Sequence, residues 1–245
     1  MRDIRESKNG NMSLWKKCLG MLYPQTCYFC GKISRSSICK ECADKVEYIQ
    51  EPRCKKCGKP IRYEEKEYCH DCEEREFYYD QGKSIWLHKG PVRWSVYQFK
   101  YNNRRVFAQF YAEQLLELYR EKIIEWGIDV IIPIPLHRKR RRKRGYNQAE
   151  ILARELSKQC GIPMDVKSVV RVVHTKPQKE LNHTERNKNL RSAFRVTKHW
   201  KKSRKILLID DIYTTGNTID SVAQLLKEKG AQKVYFLTIS IGQGF

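Results

Sequence analysis

Hydrophobic positions change their period along the chain, and the changes mark its elements. Residues 1–11 are polar and read as a disordered extension. Residues 12–24 place Leu14, Trp15, Cys18, Leu19, Met21 and Leu22 on one face of an amphipathic helix that ends at Pro24. Apolar periodicity is weak through Cys72, and residues 73–83 are charged and turn-forming, which predicts a linker. From Ser84 onward, helical and strand-like patterns alternate. Val106, Phe107, Phe110, Leu115, Leu118, Ile123 and Trp126 predict a helix within 104–126. Residues 129–135 read as a short buried strand ended by proline, 148–159 as a helix and 166–173 as a strand. Residues 182–191 suit a helix or a loop, strands follow at 193–197, 205–209 and 233–240, and a helical pattern fills 218–229. This alternation predicts an α/β fold over 84–245, a mostly parallel sheet flanked by helices, preceded by a small unit over 12–72.

The most specific pattern lies at 206–218. Ile206 to Ile209 is branched, apolar and too short for a helix, so it reads as a buried parallel strand. Asp210 and Asp211 sit at its carboxyl end, where open α/β sheets bind ligands. Thr214, Thr215, Gly216, Asn217 and Thr218 then make a hydroxyl-rich turn into a helix, a setting whose N–H groups and dipole favour a phosphate. Carboxylates beside a phosphate cradle suit a phosphorylated sugar. The arrangement resembles the phosphoribosyl pyrophosphate (PRPP) motif of type I phosphoribosyltransferases. The resemblance implies that the acidic pair holds the ribose 2′- and 3′-hydroxyls of PRPP–Mg²⁺ and the turn its 5′-phosphate. That family often has Gly or Ala where this chain has Asn217, a departure that a left-handed turn tolerates.

Eight of the ten cysteines form four Cys-x-x-Cys pairs: Cys27/Cys30, Cys39/Cys42, Cys54/Cys57 and Cys69/Cys72. No apolar leader with a small-residue cleavage site precedes them and no run of 18 apolar residues occurs, so a reducing, cytoplasmic setting without membrane insertion is expected. Paired Cys-x-x-Cys units there favour metal over disulfides, and Zn²⁺ prefers four thiolates in a tetrahedron. Sequential pairing into two ribbons with two structural Zn²⁺ ions is the simplest assignment, with cross-braced pairing the alternative. Gly31 and Gly58 follow the second cysteine of their pairs, where a tight turn is needed. A redox motif would need one pair opening a helix in a βαβ context, which four clustered pairs do not resemble. His70 reads as a bystander, and Cys18 and Cys160 as packing residues.

Charge shifts the picture toward polyanions. The chain carries +21, of which residues 84–245 hold +18, with 32 Lys/Arg against 14 Asp/Glu. Such a field attracts nucleic acid or a pyrophosphorylated sugar. Arg138, Lys139, Arg140, Arg141, Arg142, Lys143 and Arg144 form an unbroken basic run, expected as a loop after the strand that ends near Pro135. Three readings stand side by side for it: pyrophosphate binding, with Pro135, Leu136, His137 and Arg138 as candidates, nucleic-acid contact through Lys139 to Arg144, and a solvated face. Trp86, Trp94, Tyr97, Phe99 and Tyr101 are aromatics available for base stacking, although core packing is the commoner use.

Further motifs are Arg144-Gly-Tyr-Asn147-Gln148, Thr175 to Leu181 with Gln178, and Arg186 to Phe194 with Asn189. With the cysteine pairs and the PRPP motif, they resemble the ComF family of competence proteins, from Met12 to nearly the chain's end. The resemblance implies a double zinc ribbon on a phosphoribosyltransferase-like domain, and a cytoplasmic role handling single-stranded DNA beside a helicase partner in natural transformation. It supplies no acceptor. The zinc unit and residues 84–105, with Lys100-Tyr101, are the candidates for the place of the base-selecting hood; Lys100 itself suits a substrate or pyrophosphate oxygen, although an exposed helix start is the commoner role. Two hypotheses follow: a phosphoribosyl transfer enzyme, with no evident general base, and a non-catalytic DNA-uptake factor whose pocket is structural or sensing.

Overall fold

The computed structural model describes residues 25–172 and 193–242. The helix expected before Pro24 and the motif residues Gln178, Arg186 and Asn189 lie outside them. Two short ribbons come first. In each, a bridged hairpin (Thr26 with Ile33, Arg53 with Pro60) presents one cysteine pair, and a short helix, α1 (Lys40–Ala43) or α2 (His70–Glu74), presents the other.

Four strands then form one parallel sheet in the order β1-β6-β5-β2, comprising β1 (Gln81–Leu87), β2 (Val130–Pro133), β5 (Lys205–Tyr213) and β6 (Lys233–Ile241). Helices α3 (Gly90–Tyr101) and α4 (Phe107–Trp126) connect β1 to β2, and α5 (Arg138–Arg144) and α6 (Gln148–Cys160) follow β2. Helix α7 (Asn217–Glu228) joins β5 to β6. The strand expected at 166–173 is shorter, β3 (Val169–Arg171), and pairs antiparallel with β4 (Phe194–Val196) in a separate two-stranded sheet rather than joining the main one. Only Val169 and Phe194 of this hairpin are buried, so it lacks the two-sided burial of a central parallel strand.

Alternation along β5 divides the core. Leu207 and Ile209 join α3, α4 and α6 on one face; Ile206 and Leu208 join α7 on the other. The ribbons divide in the same way. Cys27, Phe29 and Cys42 are buried with the first face, where Tyr28 stacks on Phe110 at 4.4 Å. Cys54, Cys57 and Cys69 are buried with the second. The zinc unit therefore contributes to both halves of the core. The segment expected as a linker does too: Tyr79 is fully buried and β1 already starts at Gln81.

Candidate functional site

Strand β2 stops at Pro133, opposite Ile209, while β5 continues to Tyr213 beside β6. Beyond Ile209 one edge of β5 is therefore vacated, and the helices change sides of the sheet around this strand, the geometry that opens ligand crevices in α/β folds. Asp210 and Asp211 fall in that opened stretch, within the strand rather than past its end as the sequence suggested. Asp210 accepts a hydrogen bond from the Asp211 N–H at 2.8 Å. Burial, then the Asp211 charge, push the Asp210 carboxyl up to about 7, although it keeps some solvent exposure; Lys100 and Arg171 pull the other way.

Lys100 closes the crevice from the α3 side. Its Nζ lies 3.0 Å from Asp211 Oδ1, with side chains only 18% and 13% exposed. This overturns the exposed helix-start reading, since Lys100 lies in the last turn of α3 and faces inward. His88, just past β1, shares Nδ1 with the Ser240 hydroxyl at 2.9 Å. Burial, then the nearby Lys100 charge, depress its pKa, so its ring is neutral at pH 7. Arg171 on β3 lies within electrostatic reach of Asp210. Sequence patterning did not single out His88 or Arg171. Their signals, a histidine at a strand's carboxyl end and an arginine in a short strand, are too common to stand out.

The turn enters α7 with a left-handed residue, but Gly216 (φ +76°) supplies it and Asn217 is already helical, contrary to the expectation for Asn217. A Cβ on Gly216 would lie 2.5 Å from the Tyr213 hydroxyl, so glycine is required on two counts. Thr214 and Thr215 are exposed and Thr218 partly so. The first N–H groups of α7 have no intrahelical acceptor and remain available to an anion. The Asn217 side chain is buried and accepts from Arg75 Nη2 at 2.8 Å, leaving its backbone for any ligand.

The basic run is a helix, not a loop. Arg and Lys are good helix formers, His137 Nδ1 caps the Lys139 N–H at 3.2 Å, and left-handed Gly145 closes the end with its N–H on Arg141 O at 2.8 Å. Arg141 pairs with Glu150 at 3.1 Å, and Arg144 donates to Gln148 and to the Tyr101 hydroxyl. Asn147 caps α6 and donates to Ile134 O at 3.0 Å, while Gln148 donates to Lys100 O at 3.1 Å, so both tie the basic helix to the crevice. Pro135, Leu136, His137 and Arg138 line a cavity of about 390 Å³ shared with Arg171 and Asn147. The aromatics divide: Trp86 and Phe99 are core, whereas Trp94, Tyr97 and Tyr101 are 38%, 55% and 50% exposed along one face of α3. The Arg144 guanidinium lies 4.6 Å from the Tyr101 ring centre.

The cysteines assemble in sequential tetrads, Cys27/Cys30/Cys39/Cys42 and Cys54/Cys57/Cys69/Cys72, the sulfurs of each lying within 4.8 Å of one another with no disulfide. Cys30 and Cys39 sulfurs are 3.7 Å apart and those of Cys57 and Cys69 3.5 Å, close to the ~3.8 Å edge of a tetrahedron with 2.3 Å Zn–S bonds. Burial raises the Cys27 thiol, but N–H groups of Cys39 and Phe29 outweigh it and bring it down to about 7, while burial pushes its neighbours Cys30 and Cys42 up. Both tetrads thus fit structural Zn²⁺. Gly31 and Gly58 take the expected left-handed turns, and a Cβ on Gly58 would meet Gly82 O at 2.8 Å. His70 stays outside, paired with Glu74. Among the described residues no helix is long and apolar enough to cross a membrane.

Comparison with known proteins agrees with both parts of the chain. The double zinc ribbon domain matches residues 18–73 and the phosphoribosyl transferase domain residues 103–240. Competence protein F of Haemophilus influenzae is 39% identical over 108 residues, covering 43% of this chain and 47% of that protein. DNA utilization protein YhgH of Escherichia coli K12 is 31% identical over 147 residues (59% and 64%), and competence protein ComFC of Bacillus subtilis 29% over 154 residues (61% and 59%). The matched stretches span about half to two thirds of these curated relatives. Among solved structures, a purine phosphoribosyltransferase from Pyrococcus horikoshii is 21% identical, with a TM-score of 0.36 over 54% of this chain and 73% of its own.

Proposed function

The chain belongs to the phosphoribosyl transferase domain family, joined to an N-terminal double zinc ribbon, and on that premise we propose that it binds PRPP–Mg²⁺ and assists the handling of single-stranded DNA in the cytoplasm during natural transformation. The observation that carries the sugar reading is the acidic pair in the vacated edge of β5, followed by the Gly216 turn into α7. Asp210 and Asp211 would accept the ribose hydroxyls, the 214–218 backbone and threonine hydroxyls would hold the 5′-phosphate, and Lys100, Arg138 and Arg171 would face the pyrophosphate. Mg²⁺ would neutralise part of the pyrophosphate charge. Before the ribose hydroxyls are seated, Lys100 must yield its partner Asp211, so ligand entry exchanges one ion pair for another.

The DNA limb of the reading is supported by the names of the relatives and by α5 beside the exposed face of α3. Phosphates would run along Arg140 to Arg144 while bases stack on Tyr97 and Tyr101, whose rings are 4.9 Å apart. The ComF resemblance implies a helicase as its partner in this role. A second reading, phosphoribosyl transfer to an acceptor, is favoured by His88, a neutral imidazole within electrostatic reach of Asp211 and available as a base.

Thermal unfolding with and without ligand tests the first reading. PRPP–Mg²⁺ at about 100 times its Kd should stabilise the fold by ~2.7 kcal/mol. That should raise Tm by a few degrees, more than ribose 5-phosphate or pyrophosphate does, and Asp210→Ala/Asp211→Ala should abolish the rise. An unchanged Tm at millimolar PRPP would count against the site.

A further inference from the structure

The second cysteine tetrad is built into the underside of the phosphate turn by three separate contacts. Arg75, three residues past Cys72, donates to Asn217 Oδ1 at 2.8 Å. The Tyr78 N–H donates to Asp220 Oδ1 at 2.5 Å, in the first turn of α7. The buried hydroxyls of Tyr79 and Tyr213 meet at 2.7 Å, directly beneath the spot where Gly216 has no room for a Cβ. Tyr213 stacks on Phe236 at 4.9 Å and Tyr79 meets the same ring edge-on, so the tyrosine pair is fixed from below. Cys57 and Cys72 lie within electrostatic reach of both tyrosines. The cysteine knuckle is tied down as well: Gly82 N donates to Lys56 O at 2.8 Å, and Lys56 Nζ to Phe77 O at 3.1 Å.

The flanks of the turn, Tyr213 before it and Asn217 and Asp220 after it, therefore rest on the segment that follows the second tetrad. Among the described residues the first tetrad has no such connection; it packs on the opposite face of the sheet against Trp86 and Phe110. We propose that zinc occupancy of the Cys54/Cys57/Cys69/Cys72 tetrad and ligand occupancy of the phosphate turn are energetically coupled, with Arg75 as the positioning residue that joins them. The inference rests on the PRPP reading. A coupling of this kind is reciprocal: metal in the tetrad tightens the ligand, and ligand in the turn retains the metal by the same factor.

Challenge of the zinc-loaded full chain with a zinc-selective chromogenic chelator in excess Mg²⁺, with and without PRPP, reads the coupling directly. Alkylation of the cysteines as they are freed, followed by peptide mass analysis, assigns each release phase to a tetrad. PRPP–Mg²⁺ should slow release from the second tetrad about 5- to 100-fold and leave the first unchanged. Arg75→Ala should keep both zinc ions, weaken PRPP about 10-fold and lose most of the protection. Combining it with Asn217→Ala should add little, because the two side chains act as one unit. Equal protection of both tetrads, or wild-type PRPP affinity in Arg75→Ala, would overturn the proposal. PRPP that gives calorimetric heat without protecting the second tetrad would overturn the coupling alone, whereas no heat from the wild type would overturn the ligand reading beneath it.

Discussion

Asp210 shows how one residue can be held against its own preference. Its folded pKa is raised to about 7, above the ~3.9 of an unfolded aspartate, so the folded chain retains a proton that the unfolded chain releases. Stability is then lost as pH rises from about 4 through 7, and the loss is complete above it. The upper bound is about 4 kcal/mol, reduced by water at the part-exposed carboxyl. Asp210→Asn should therefore raise Tm in the unliganded protein at pH 8, and progressively less toward pH 4, while abolishing PRPP binding. A Tm gain independent of pH would mean that the carboxyl titrates normally in the fold. On the PRPP–Mg²⁺ reading, a carboxyl poised near neutrality would become a full acceptor once the cation is bound.

Helix α5 is the element on which sequence and structure part most clearly. Seven consecutive cations suggest a solvated loop, because like charges repel and no apolar face is present. The helix forms because its two ends are capped, by His137 and Gly145, and its charges find Glu150, Gln148 and Tyr101 on neighbouring elements. Those partners lie on α3 and α6, a relation invisible in local sequence. The consequence is a rigid cationic rod rather than a flexible strap. Binding of a fluorescent single-stranded oligonucleotide, followed by anisotropy, should weaken with salt. Replacing Arg140, Arg142 and Lys143 by Gln should lower the salt slope by about 0.7 for each phosphate that is no longer neutralised. Tyr97→Ala should weaken binding by ~1–3 kcal/mol at every salt concentration. An unaltered slope in the Gln variant would place the nucleic acid elsewhere.

By contrast, β5 and the acidic pair were legible from sequence, because burial on both faces forces a branched apolar run and two adjacent carboxylates break that run where burial on both faces ends. The cysteine tetrads were legible for a similar reason, since four thiolates per metal fix both number and spacing. Residues whose role depends on distant packing, such as Arg75, His88 and Arg171, were not, and Lys100 was named without its partner Asp211.

At the scale of the molecule, the two ribbons are better described as parts of the core than as an appended domain. Each covers one face of the sheet, and the segment between the second tetrad and β1 holds the buried Tyr79. The segment 73–83, expected as a linker, instead holds the buried Phe77 and Tyr79, which the charged residues at 73–76 mask in the sequence. The fold ties the second tetrad to the 213–220 stretch and the basic helix to the crevice through Asn147 and Gln148. Calorimetric titration of the zinc-loaded full chain with PRPP in the presence of Mg²⁺ tests this framework most directly. One binding event per chain, lost in Asp210→Ala/Asp211→Ala, is the expected result. No heat from the zinc-loaded wild type would contradict it.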